Sequence, residues 1–349
     1  MILDRLNVPI VLAPLAGGPA TPELAAAVSE AGGLGFLAAG YLTAAALRDR
    51  IAQTRALTPA PLGVNVFVPG TPAPPRPVTE YAASLRPDAG QAGVALGEPR
   101  FEDDDWAAKL SLLTADPLPV TSFTFGCPEP AVITALQEAG TEVWVTVASP
   151  ADARQAADAG ADVLVVQGTE AGGHRGSFRD DPDADAGGFG LLALLQLVGA
   201  GTSLPLVAAG GISTGAGLAA VLAAGASAAQ LGTAFLRCPE AGTSAVHRAA
   251  VAGHGDTATT RAFSGRLARG IRNRFMDAHG GDAPAAYPEV HHLTAPLRAA
   301  GRSAGNPDLV NLWAGQAHEL TQELPAAELV AQLAYVAQEA LRAATDRWG

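Results

Sequence analysis

Lysine is nearly missing from this chain: Lys109 is the only one among 22 basic residues. Schiff-base chemistry therefore has a single candidate amine, and it sits beside the acidic run at 102–105, so that chemistry is set aside. Cysteine is almost as scarce. Cys127 and Cys238 are too few for a disulfide framework or a four-thiolate zinc site. Positive charge is in deficit as well: 34 acidic residues against the 22 basic ones leave a net charge of −12, which repels polyphosphate and anionic lipid and excludes nucleic acid as a partner. Residues 1–9 place Asp4 and Arg5 ahead of any apolar run, unlike a secretory signal. With the scarce thiols, this implies a reduced, cytosolic chain.

Charge of either sign is absent from 186–236, a run of 51 positions. That is far beyond the roughly 20 residues a membrane span needs. Pro205 and eleven glycines break the run, whereas buried parallel strands read as near-continuous apolar stretches joined by such turns. The segment is expected to be barrel or sheet interior, not membrane.

What is there is a repeated unit: an Ala-rich helix, a stop at Ala-Gly, then a short apolar run. It recurs in SEAGGLGFLAAG, QEAGTEVWVTV, DAGADVLVVQG and LAAGASAAQLGT. Glycine just past a helix takes the left-handed conformation that a side chain disfavours, so each copy marks a helix handing over to a strand. Thr21-Pro22 and Ser149-Pro150 read as N-caps followed by proline in the first turn. Apolar runs of strand length fall at 10–13, 34–38, 62–68, 120–125, 142–147, 162–167, 204–208 and 226–231. Eight alternating units suggest a closed (β/α)8 TIM barrel, with a doubly wound sheet as the alternative. Two connections are long: 69–119, with the Pro-rich TPAPPRP, is expected to cover one barrel end with its own helix, and 168–203 follows the sixth strand. The expected division is 1–238 as barrel and 239–349 as a smaller, mainly helical domain closed by an amphipathic helix at 325–347.

Ligands of such barrels bind at the C-terminal ends of the strands, with phosphate commonly between the loops after strands seven and eight. The seventh run leads into AAGGIST, where Gly210 and Gly211 let main-chain amides approach an anion, and the next helix adds its N-terminus. The eighth ends in QLGTAFL, where Gly232 and Thr233 offer N–H groups and a hydroxyl. After the sixth, VVQGTEAGGHRGSF gathers Gln167, Glu170, His174 and Arg175 among glycines. A histidine there can serve as general base, its ordinary pKa lying near 6.5. Asn65 interrupts an apolar run in GVNVFVP; buried, its amide must meet a ligand or a neighbouring strand, and Gln167 invites the same argument. Such amides suit the edge of an isoalloxazine ring.

The other histidines, His247, His254, His279, His291, His292 and His318, show no HExxH spacing and are expected mostly at the surface. Adjacent His291 and His292 cannot point the same way, which disfavours a metal site. Cys127, in FGCPEP, has no adjacent base and reads as a small buried thiol.

These pieces resemble the class I nitronate monooxygenases, once called 2-nitropropane dioxygenases. The resemblance rests on APLAGG, TPELAAAVSEAGGLGFLAAGY, GVNVF, PVTSFTFG, QGTEAGGHRGSF, AAGGI, QLGTAFL, AYPEVHHLT and WAGQ, and runs from Ala13 to Gln316. It implies an FMN-bearing barrel under a helical domain, oxidising propionate 3-nitronate and other alkyl nitronates with O2 to a carbonyl compound and nitrite. It further implies that Asn65, Gln167, Gly172, Gly211, Gln230, Leu231, Gly232 and Thr233 contact FMN, that His174 is catalytic, and that Tyr287 lines the substrate pocket. Arg175 is expected as nearby positive charge. His291 stands where the pattern would place an asparagine. The competing enzyme reading is a flavin-dependent enoyl-acyl-carrier-protein reductase using NADH or NADPH, and a non-catalytic flavin- or phosphate-binding module is a third class. The number of subunits is not implied.

Overall fold

The computed structural model describes residues 1–180 and 188–348. Its strands are β1 Ile10–Leu12, β2 Gly35–Ala38, β3 Leu62–Phe67, β4 Val120–Thr124, β5 Glu142–Val147, β6 Val163–Gln167, the two-residue β7 Gly173–His174, β8 Leu206–Ala209, β9 Ala228–Leu231, β10 Thr257–Thr260 and β11 Ala268–Ile271. Eight of them form one parallel sheet in the order β1-β9-β8-β6-β5-β4-β3-β2. The sheet closes on itself: the Leu12 N–H donates to the Leu34 carbonyl and the Leu34 N–H to the Ile10 carbonyl, each at 2.9 Å. This is a TIM barrel, and each of the eight expected strands is present within a few residues of its predicted range.

The helix ends explain why these strands begin where they do. Thr21 and Ser149 cap their helices by accepting from the N–H groups of Leu24 and Asp152 at 3.0 and 3.1 Å. Gly32, Gly140, Gly160 and Gly225, the stop residues of the repeated unit, all have φ between +90° and +100°. A side chain at these four positions would strain the backbone.

Strand residues alternate across the barrel wall. Leu164 and Val166 pack outward against the helices, while Val163 and Val165 join Val11, Phe36, Trp144 and Val207 in the barrel interior. Continued by the same period of two, the inward set turns polar toward the C-terminal ends, at Asn65, Ser122, Thr124, Thr146, Gln167 and Gln230. The sequence thus fills the lower barrel with hydrocarbon and leaves hydrogen-bonding groups at the top.

A second layer covers that top. Helices Pro75–Ser84 and Arg86–Ala92, from the Pro-rich excursion, share an apolar cluster with Phe263, Phe275 and helix Glu289–Ala304. Asp88 ties the two stretches together, accepting from His279 Nε2 at 2.8 Å and Arg274 Nη2 at 2.7 Å. The layer also holds a three-stranded antiparallel sheet, β10-β11-β7, which no alternating pattern in the sequence announces. The last helix, Ala326–Asp346, packs back on the barrel: a Cβ on Gly215 would lie 2.5 Å from Val336 Cβ. Among the described residues no helix is long and apolar enough to cross a membrane; the charge-free run, whose first two residues lie outside the described ones, supplies β8, β9 and their flanking helices.

Candidate active site

A cavity of about 560 Å³ opens at the C-terminal ends of the strands. Of the residues singled out above, Asn65, Gln167, Gly172, His174, Gly210, Gly211, Gln230, Leu231, Gly232 and Thr233 all line it. Two others do not face it directly. The Tyr287 ring packs on His174 and Phe125 with centroids 5.8 and 5.4 Å apart, and its hydroxyl is hydrogen-bonded to Tyr41. The Arg175 guanidinium lies instead beside Gly188 and Thr169, so positive charge on the wall comes from Arg298 and Arg302.

His174 sits on β7 because the loop after β6 is pinned from both sides. Gln167 donates from Nε2 to the His174 carbonyl at 3.1 Å and accepts the Gly176 N–H on Oε1 at 2.7 Å. Across the cavity, β7 pairs with β11, His174 opposite Ala268. Gly172 is required by close approach: a Cβ there would come within 2.4 Å of the Gly315 nitrogen. Glu170 closes the start of the next helix from outside it, its carboxylate accepting the Leu191 N–H at 2.9 Å beside the N-cap Gly190.

The imidazole contacts Ser264 Oγ through Nε2 at 2.8 Å and is ringed by Phe125, Tyr287 and Trp313. Enclosure among these rings, with Arg266 and Arg298 adding like charge, pushes its pKa down to about 3. His174 is therefore neutral at physiological pH. Tyr41 stacks on His291 at 4.2 Å with the rings nearly parallel, and burial raises its phenol to about 12. Burial and Arg298 hold His291 well below the ordinary histidine range.

The amides divide. Asn65 Nδ2 donates to Ser122 Oγ at 2.9 Å and Thr124 Oγ1 at 3.0 Å, so its donor meets neighbouring strands. Gln230 Oε1, by contrast, is buried against the cavity with no hydrogen-bond partner among the described residues. An orphaned acceptor costs free energy until a ligand donor arrives. At the corner after β8 Gly210 and Gly211 adopt φ of +115° and +69°, with Thr214 capping helix Gly215–Ala223 three residues further on, and Gly232 and Thr233 line the cavity at the corner after β9. These observations fit FMN: an anion cradle without side chains, and an unfilled acceptor where the ring would lie.

Residues 2–335 match the family described as Nitronate monooxygenase. The chain belongs to that family. It is 42% identical over 335 residues to a nitronate monooxygenase of Pseudomonas aeruginosa, covering 93% of this chain and 95% of that one. It is also 42% identical, over 342 residues, to one from Paraburkholderia phytofirmans, covering 94% and 92%. Among solved structures, a nitroalkane oxidase from Streptomyces ansochromogenes superimposes with a TM-score of 0.96 at 50% identity, covering 98% of this chain and 99% of that one. Nitronate monooxygenases are oxidoreductases, and the cavity at the barrel top is the candidate active site of this member.

Several site residues of this family member were not singled out in the sequence. Tyr41, Ser264, Arg298 and Trp313 all line or adjoin the cavity. Tyr41 lies three residues past the end of β2, on the same rim where Gln167 ends β6, and the rule that ligands sit at the C-terminal ends of strands would have found it. The expectation of mostly surface histidines is corrected: only His254 is highly exposed, while His247, His279 and His318 are buried. Each is satisfied inside, His247 by the Trp313 carbonyl, His279 by Asp88 and His318 by the Val251 and Gly255 carbonyls. His291 and His292 do diverge, the first into the cavity and the second to Glu102 at 3.0 Å. Cys127 is half-buried, and its thiol is pushed up to about 11 by burial, which removes it as a nucleophile.

Proposed function

We propose that this chain binds FMN and oxidises preformed alkyl nitronate anions, propionate 3-nitronate among them, with O2, giving a carbonyl compound and nitrite. The observation that carries the choice of substrate is the state of His174. A base with a pKa near 3 is poorly matched to pulling a carbon-bound proton from a neutral nitroalkane at pH 7. A nitronate needs no such step, since its carbon is already deprotonated.

FMN, when bound, supplies the electron transfer from nitronate to oxygen. Gly210, Gly211, Gly232 and Thr233 would hold its phosphate through main-chain amides, and Gln230, with Asn65 and Gln167, would meet the ring edge. The rest falls to this chain's own groups. His174, oriented by Ser264 and the β7–β11 pairing, offers one ring nitrogen to the nitronate oxygens while remaining neutral. Tyr41, Phe125 and Trp313 wall the site and exclude water, which strengthens every charge interaction inside it.

Anaerobic addition of propionate 3-nitronate to the FMN-loaded protein is expected to bleach its visible flavin absorption. A colourless protein that refuses added FMN, or a flavin indifferent to nitronates, would overturn the reading.

A further inference from the structure

Helix Glu289–Ala304 turns one face to the cavity through His291, Ala295, Arg298 and Arg302. That spacing follows the helical repeat, while Val290, Leu293 and Leu297 pack the opposite face into the covering layer. Arg298 is the unusual member. It is 7% exposed, and among the described residues no carboxylate pairs with it.

Its guanidinium is only partly satisfied. Nε donates to Thr294 Oγ1 at 3.1 Å, and Nη2 donates to the His291 carbonyl at 2.6 Å and, at a longer 3.3 Å, to His291 Nδ1. Nη1 has no acceptor among the described residues. The surrounding polar groups are the phenols of Tyr41 and Tyr287, neutral His291, and Arg302 one turn further out. Asp104, whose charge reaches both phenols, is already committed to Lys109 at 2.7 Å and to the Tyr41 N–H. A buried cation without a counter-ion is costly. Here the cavity itself is where the counter-ion can come from.

We propose that Arg298 is the anion-recognition residue of this site, receiving a planar two-oxygen anion on the Nη1 side of its guanidinium, where the long contact of Nη2 with His291 Nδ1 gives way. This rests on the nitronate reading and deepens it. The planar fork matches two oxygens of one anion in a way that an ammonium does not. A nitronate group and a carboxylate tail share that chemistry, and kinetics separate them.

The first test needs no turnover. Nitrate, planar and singly charged, is titrated into the FMN-loaded wild-type protein and into Arg298→Met while thermal unfolding is followed. Wild-type midpoints should rise with nitrate; Arg298→Met should begin at an equal or higher midpoint, because an uncompensated buried charge has been removed, and should not respond. Arg298→Lys, which keeps the charge, should recover part of the response. The second test compares kcat/KM for ethyl nitronate and propionate 3-nitronate. A loss of roughly 100-fold for both places the nitronate group on Arg298, and a loss confined to propionate 3-nitronate places the carboxylate there. Nitrate stabilisation equal in wild type and Arg298→Met, or kcat/KM within about twofold for both substrates by the same scale, overturns the proposal. A wild type that responds to nitrate through Arg298 yet oxidises no nitronate would leave the recognition standing and sink the functional reading instead.

Discussion

Asp104 accepts the main-chain N–H of Tyr41 at 2.9 Å, and its other oxygen pairs with Lys109 at 2.7 Å. Tyr41 has φ of +68°, a conformation that a bulky side chain rarely adopts, and its ring stacks on His291 in the cavity wall. The only lysine of the chain is thus structural: fully buried, it holds the carboxylate that holds the tyrosine.

Asp104→Ala is therefore expected to destabilise the fold by about 3–5 kcal/mol in denaturant unfolding, because it strands a buried ammonium. The double variant Asp104→Ala/Lys109→Met should recover much of that loss. If the single variant unfolds at the wild-type denaturant concentration, the ion pair is not supporting this corner.

His174→Asn should retain FMN, judged by its visible spectrum, and lose most turnover. The pH dependence has a definite sign. Because the folded-state pKa of His174 is lowered from 6.5 to about 3, the folded protein binds fewer protons there than the unfolded chain. The stability contributed by that group is fully present above pH 6.5 and declines as pH falls toward 3. His174→Asn should accordingly lose less stability than wild type between pH 6.5 and 4, and wild-type kcat/KM should show no inflection near 6.5 from this residue.

Gln230→Met, which removes the orphaned acceptor, should raise the stability of the flavin-free protein while weakening FMN binding by roughly tenfold, the worth of one hydrogen bond to a buried group. Asn65→Ala should also weaken FMN retention. Unchanged FMN affinity in both variants would place the ring elsewhere.

Arg302 stands exposed on the rim, one turn outward from Arg298, on a protein of net charge −12 that otherwise repels anions. Arg302→Gln should lower kcat/KM for a nitronate several-fold at low ionic strength, and the difference should vanish at about 1 M salt, where the screening length is about 3 Å. A deficit that persists in high salt would mean that Arg302 acts by contact, not by its field.

The enoyl reductase alternative separates cleanly. Anaerobic NADH or NADPH should leave the flavin oxidised over the time in which propionate 3-nitronate bleaches it; the reverse order of reactivity would favour the reductase.

Much of the barrel was legible because its punctuation is local. A glycine past each helix and a β-branched run after it mark the strands without reference to anything distant, and the period of two within a strand places Asn65, Gln167 and Gln230 at the top of the interior. Arg298 and Ser264 were not legible for the opposite reason. Ser264 matters only because β11 brings its neighbourhood against β7, 90 positions away, and Arg298 matters because no acid among the described residues pairs with it. Pairing between distant segments, and the absence of a partner, leave no mark on the local pattern. The histidines were misplaced for a related cause: a ring on a polar stretch looks solvated until the carbonyl that receives it is known.

The pairing of His174 with Ala268 and Gly173 with Arg269 has a consequence for dissection of the molecule. A fragment ending at residue 238 would retain all eight staves and the glycine corners, yet its imidazole would lose the β11 pairing and Ser264 and sit on a loop held by Gln167 alone. Anion binding at the glycine corners and the placement of His174 are therefore expected to be separable by a single cut in the chain.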